Sequence, residues 1–115
     1  MSIKIKWIYE PPAEQDGLRV LVDRLWPRGL SKKLAAVDLW MRDLAPSAEL
    51  RKWFAHDPKK WKQFCARYAR ELDTKPDEIA EIKVQSRVST VTLLHAAKDT
   101  EHNNAVALKH YFEAH

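Results

Sequence analysis

Glycine and cysteine are nearly missing from this sequence. Its 115 residues include two glycines, Gly17 and Gly29, and one cysteine, Cys65. A phosphate-cradling P-loop and a dinucleotide-binding glycine fingerprint each need at least two closely spaced glycines, so both are excluded. A lone thiol excludes an internal disulfide and any multi-cysteine metal or iron–sulfur site. Long hydrophobic runs are missing too. The longest stretch without Asp, Glu, Lys or Arg is Val88 to Ala97, ten residues, about half of a membrane span. Lys4 and Lys6 have no apolar stretch behind them, so no signal peptide is expected. A lone thiol without an export signal predicts a cytoplasmic protein with no membrane partner.

What is present fits one folded unit. Hydrophobic residues make up 45% and charged residues 31%, and residues 1–115 suffice for a single domain with one core. Charge is uneven. The net charge is +4, yet between residues 51 and 70 Arg51, Lys52, Lys59, Lys60, Lys62, Arg67 and Arg70 face only Asp57, a local +6. Such a basic face is either an ordinary solvated helix surface or a place that attracts phosphates. As an interaction module it would bind nucleic acid or protein, although no specific recognition motif accompanies it.

Ile3, Ile5 and Trp7 alternate with Lys4 and Lys6, which predicts a strand with one wet face near a sheet edge. Leu18 to Val22 reads as a buried central strand. Ser31 caps a short helix through Ala36. Asp38 to Asp43 alternates again and predicts a strand. Ser47 caps a helix carrying Leu50, Trp53 and Phe54. Asp57-Pro58 opens another, in which Trp61, Phe64, Cys65, Tyr68 and Leu72 form an amphipathic stripe. Thr74 to Asp77 begins a helix that buries Ile79 and Ile82. Ser89 to Ala96 is a second buried strand. A last helix is expected from about Thr100, with Asp99 as its cap and Ala105, Leu108, Tyr111 and Phe112 inside. Helical crossovers between apolar strands predict an α/β fold of about four mostly parallel strands flanked by helices. The connection from the first strand to the second is too short for a helix, so the first strand is expected to pair antiparallel.

Ligands of open α/β sheets bind at the carboxyl ends of the strands. Two polar segments belong there: Asp23 to Arg28, and Lys98 to Asn104. Arg24, Arg28 and Lys98 suit a phosphate or carboxylate, Trp26 can stack on a ring, and Asn103 and Asn104 can orient a ligand. His102 with Asp99 would be the catalytic pair if the site is enzymatic. The competing structural reading has Trp26 plugging the core and the arginines paired with Asp23 or Asp99. His95, Asp99 and His102 match no familiar zinc spacing, so neither metal nor cofactor is expected. Cys65 reads as a buried inert thiol, and His56 as a residue complementing a helix end.

The segments Arg19 to Leu30, Asp43 to Ser47, Leu50 to Phe54, His56-Asp57-Pro58, Ala97-Lys98-Asp99 and Glu101 to Ala105 resemble the YeaO-like bacterial proteins, a family built on a domain of unknown function. The resemblance covers nearly the whole chain and is weakest over Lys75 to Arg87. It implies a small cytoplasmic α/β domain with no established reaction or cofactor. Longer relatives look similar at a strand-end Asp-x-Arg motif, which the residues after Asp23 approximate. They carry a cysteine in the last strand and Cys-His-Arg at the last helix start. Here those places read His95-Ala96 and His102-Asn103-Asn104, which removes thiol chemistry and leaves the arginines.

Overall fold

The apolar, β-branched segments form a four-stranded sheet in this computed structural model, which describes residues 2–115. The strands are β1 (Ile3–Trp7), β2 (Leu18–Leu21), β3 (Leu39–Trp40) and β4 (Val91–His95). Their order is β1-β4-β2-β3. β4, buried at every position, is the centre, and β1 is an edge strand. Every pair is parallel, so the antiparallel expectation for β1 fails. Its premise, a connection too short for a helix, sets the direction only of strands that neighbour each other, and β1 and β2 do not. β4 lies between β1 and β2, and the stretch 8–17 crosses over it with a single 3-10 turn, Glu14–Asp16.

β3 is shorter than the alternation from Asp38 to Asp43 suggested. The alternation itself is real: Leu39 and Met41 join the main core while Trp40 packs on the opposite face, with Arg42 stacked 4.0 Å from its ring. Pairing stops because Arg42–Leu44 winds into a 3-10 turn.

Helices α1 (Lys32–Ala35), α2 (Ala48–Phe54), α3 (Trp61–Leu72), α4 (Pro76–Val88) and α5 (Asn104–Ala114) cover the sheet unequally. The side chains of Ser31 and Ser47 cap α1 and α2 by accepting from Leu34 and Leu50 N–H. Asp57 accepts from Lys59 N–H, but the turn it opens is a 3-10 turn ahead of α3. The stripe predicted on α3 buries Phe64, Tyr68 and Leu72 in the main core, together with Ile79, Ile82, Leu108 and Phe112 of α4 and α5. Burial pushes the Cys65 thiol upward, consistent with its place on that stripe. On the opposite face α1, the 8–17 crossover and the loop carrying Trp26 and Leu30 cover Ile8, Leu21 and Leu94. No helix is long and apolar enough to cross a membrane.

That second face also holds a buried ionic cluster. Arg19 (4% exposed) is paired with Asp16, which also meets Lys6 at 3.0 Å. Arg19 donates further to the carbonyls of Ala35 and Ala36, so its guanidinium fastens α1 to the sheet. Burial would raise the Asp16 carboxyl, but the Ala13 N–H, Lys6 and Arg19 together hold it below the ordinary 3.8. A lowered carboxylate contributes stability above its unfolded value and loses it as the pH falls through its folded value. Acid unfolding should therefore be shallower in Asp16→Asn than in the parent, at a lower starting stability, as read from denaturant midpoints between about pH 5 and pH 2.

The two glycines differ in what they permit. Gly17 (φ +62°) turns the chain where an added Cβ would lie 2.2 Å from the Thr90 carbonyl oxygen, whereas Gly29 (φ +72°) faces open space. Gly29→Ala should cost about 1 kcal/mol from the backbone alone, and Gly17→Ala at least about 3 kcal/mol, because the β4 backbone must shift as well. Equal thermal shifts for the two variants would contradict this account.

Candidate functional site

The chain order and sheet order together create a switch point. From β2 the chain leaves through α1 on one face, while from β4 it leaves through α5 on the other, the face that α2, α3 and α4 also cover. The carboxyl ends of β2 and β4 are therefore adjacent but leave toward opposite faces, which opens a crevice between them. A cleft of about 580 Å³ lies there, reached by the residues after both strands and by α2.

Asp23 sets its floor. One carboxylate oxygen accepts from Ala96 N–H at 2.8 Å, and the other from Asn104 Nδ2 at 3.1 Å. Asn104 also donates to the Val22 carbonyl at 2.9 Å, and the Asp23 carbonyl accepts from Trp40 Nε1 at 2.7 Å. The end of β2 is thus tied to the end of β4, the start of α5 and β3. Burial pushes the Asp23 carboxyl above 3.8, with the Ala96 and Asn104 bonds opposing that shift.

Of the sequence-predicted residues, Arg24, Trp26, Arg28, His102, Asn103 and Asn104 line the cleft. Lys98 is exposed and lies outside the lining, and so does Asp99. Asp99 accepts from the N–H groups of Glu101 and His102, which hold its carboxyl below the ordinary value. These are the bonds expected of a cap, yet α5 begins at Asn104, not near Thr100, and its cap is Asn103. Asn103 Oδ1 accepts from Val106 N–H, and its Nδ2 donates to the Asp99 carbonyl. The physical reason is that Asp99 closes a separate turn, leaving the helix to start one cap later. Asp99 also meets His102 Nδ1 at 3.0 Å, and the His102 ring stands edge-on to Trp61. His95 is buried with Nδ1 unpartnered; burial pushes it toward the neutral form, against the Asp23 charge. Among the described residues no group of His, Cys, Asp and Glu converges to hold a metal ion.

Trp26 has two faces to its role. Its Nε1 donates to the Leu30 carbonyl at 2.7 Å and its ring packs edge-on to Trp40, so it does plug the smaller core, while also lining the cleft. The arginines, by contrast, pair with neither Asp23 nor Asp99. Among the described residues the ion pairs are Lys6–Asp16, Arg19–Asp16 and His102–Asp99. Arg24 Nη2 makes one long contact, 3.4 Å to the Pro46 carbonyl, and its Nε is buried with no partner.

The lining adds Arg51, Lys52 and His56 from α2 and the turn after it, and Tyr9, whose hydroxyl donates to the Arg28 carbonyl. Arg51 and Lys52 were legible only as part of a basic run, and His56 as a helix-end residue. The signal that finds them is that the separate family-like segments converge on one place. Of the same basic run, Lys60 and Arg67 lie over the Trp53 ring, at 5.1 and 4.1 Å.

Asp23→Ala should strand the Ala96 N–H and one Asn104 hydrogen, costing about 2–3 kcal/mol. Amide exchange at Ala96 should accelerate by more than the global loss of stability accounts for. An unchanged Ala96 exchange rate would remove Asp23 from this role.

The comparisons agree with the resemblance. Residues 2–115 match a family model described as the inactive DUF488-N3 subclade. The uncharacterized protein YeaO of Escherichia coli is 39% identical over 94% of both chains. Uncharacterized proteins of Mycobacterium tuberculosis and Mycobacterium bovis are 37% identical over 92% of this chain and 89% of their own. No solved structure shows a significant match. The chain belongs to the YeaO-like branch of the DUF488 family.

Proposed function

We propose that this protein binds a small anionic ligand, bearing a phosphate or carboxylate, in the cleft at the carboxyl ends of β2 and β4. The observation that carries the reading is the charge imbalance of the lining. Arg24, Arg28, Arg51 and Lys52 face one carboxylate, Asp23, whose oxygens are already occupied by Ala96 and Asn104. Unpaired guanidinium groups beside low-dielectric walls attract and hold anions bidentately. The description of the subclade as inactive favours recognition over turnover, which leaves the His102–Asp99 pair a ring-orienting role. The lone thiol and bacterial relatives fit a bacterial cytoplasmic protein.

The experiment is a thermal-shift titration with inorganic phosphate and small carboxylates. A ligand at ten times its Kd stabilises by about 1.4 kcal/mol, a rise of about 5 °C for a chain of this size. The pair Arg24→Ala with Arg28→Ala should abolish the shift, while Lys98→Ala should leave it intact. No stabilisation by any anion, or a shift that survives the double change, would refute the reading. Binding of DNA or RNA that weakens steeply with salt and survives that double change would favour the basic face of residues 51–70 instead.

A further inference from the structure

We infer that the ligand is a phosphate ester carrying a planar ring, of the size and chemistry of a mononucleotide. The inference rests on the anion-binding reading and adds what else the ligand carries. Size is the first argument. A cleft of about 580 Å³ falls within the range of sites for whole small molecules, several times what one tetrahedral phosphate fills.

The walls are the second argument. Beyond the cations they are apolar or aromatic. Phe54 and Phe64, stacked at 4.4 Å, back the cleft from the core, and His56, His102 and the exposed Tyr9 also line it. The half-buried Trp26 belongs to the same lining. A bare anion at Arg24 and Arg51 leaves the accessible parts of Trp26, Tyr9 and the imidazoles wet, whereas a flat ring laid against them removes them from water and stacks.

Unused polar atoms are the third. Asn104 Nδ2 serves Val22 and Asp23, and its Oδ1 accepts from no group among the described residues. His102 Nδ1 is engaged by Asp99, which leaves Nε2 without a partner. Both residues line the cleft, and an amide oxygen and a ring nitrogen suit the polar groups of a nitrogenous ring. Two distant glycines supply no glycine-rich loop for the phosphate, and the guanidinium of Arg24, with its unpartnered Nε, takes that place.

The test compares Kd values by calorimetry at one ionic strength for inorganic phosphate, ribose 5-phosphate, adenosine and uridine 5′-monophosphates, and adenosine. At least one nucleotide should bind about tenfold or more tighter than ribose 5-phosphate. Arg24→Ala should weaken that nucleotide by at least about tenfold, and the exposed Lys52→Ala, which leaves the fold untouched, by a smaller factor. Ribose 5-phosphate binding as tightly as both nucleotides would overturn the ring while leaving the anion reading standing. Adenosine matching its monophosphate, or no binding by any of the phosphates, would overturn both.

Discussion

The Asp23 carboxylate is the fastening on which the rest of the cleft depends. Parallel strands that leave a sheet toward opposite faces have nothing to hold their carboxyl ends together once the ladder stops. Here the ladder between β2 and β4 stops at the Val22 N–H, bonded to the Leu94 carbonyl. One residue later Asp23 replaces backbone pairing with a side chain that takes one donor from Ala96, just past β4, and one from α5. A carboxylate suits this place because it accepts at both oxygens. An amide would present one oxygen to two donors. The cost is desolvation, visible in the raised Asp23 carboxyl, and nearby positive charge reduces it. Arg51 belongs to that compensation as well as to the lining, which couples the structural role of the floor to the charge of the walls.

The two faces of the sheet use buried charge differently. Under the α1 face, Arg19 and Asp16 are mutually paired and further bonded to Lys6, Ala13, Ala35 and Ala36. Every strong group there has a partner, which is what a structural ionic cluster requires. At the cleft the balance is left open: Arg24 keeps a buried Nε without a partner, and the nearby carboxylate is committed elsewhere. The same chain thus completes one cluster and leaves the other unfinished, and that contrast marks the cleft as the place with spare binding capacity.

Most of the fold was legible because its signals are local. Alternation gave β1 and the faces of Leu39, Trp40 and Met41; the stripe from Trp61 to Leu72 gave α3; Ser31 and Ser47 gave their caps. What was misread depends on pairing at a distance. The direction of β1 follows from β4, eighty-odd residues later, taking the position beside it. The start of α5 was misplaced because Asp99 and Asn103 both make capping bonds, and sequence alone does not say which turn continues into a helix. At the site, residues at the two strand ends were found from topology. Arg51, Lys52 and His56 were not, since α2 is placed beside the cleft by contacts with α3, Phe54 on Phe64 and Ser47 on Glu71, that the local pattern does not show.

The scarcity of glycine bears on that last element. α2 ends with Ala55 and His56 in consecutive left-handed conformations, φ +48° and +56°. For residues with a Cβ this costs on the order of 1–2 kcal/mol each, and glycine would avoid it. The bonds from Ala55 N–H to the Arg51 carbonyl and from Asp57 N–H to the Phe54 carbonyl hold the turn closed. The result is a reversal tight enough to bring Phe64 of α3 against Phe54. Its strain is sustained by aromatic packing on one side and delivers an imidazole to the cleft on the other. A glycine at position 56 would relieve the backbone and remove that imidazole from the lining of the cleft.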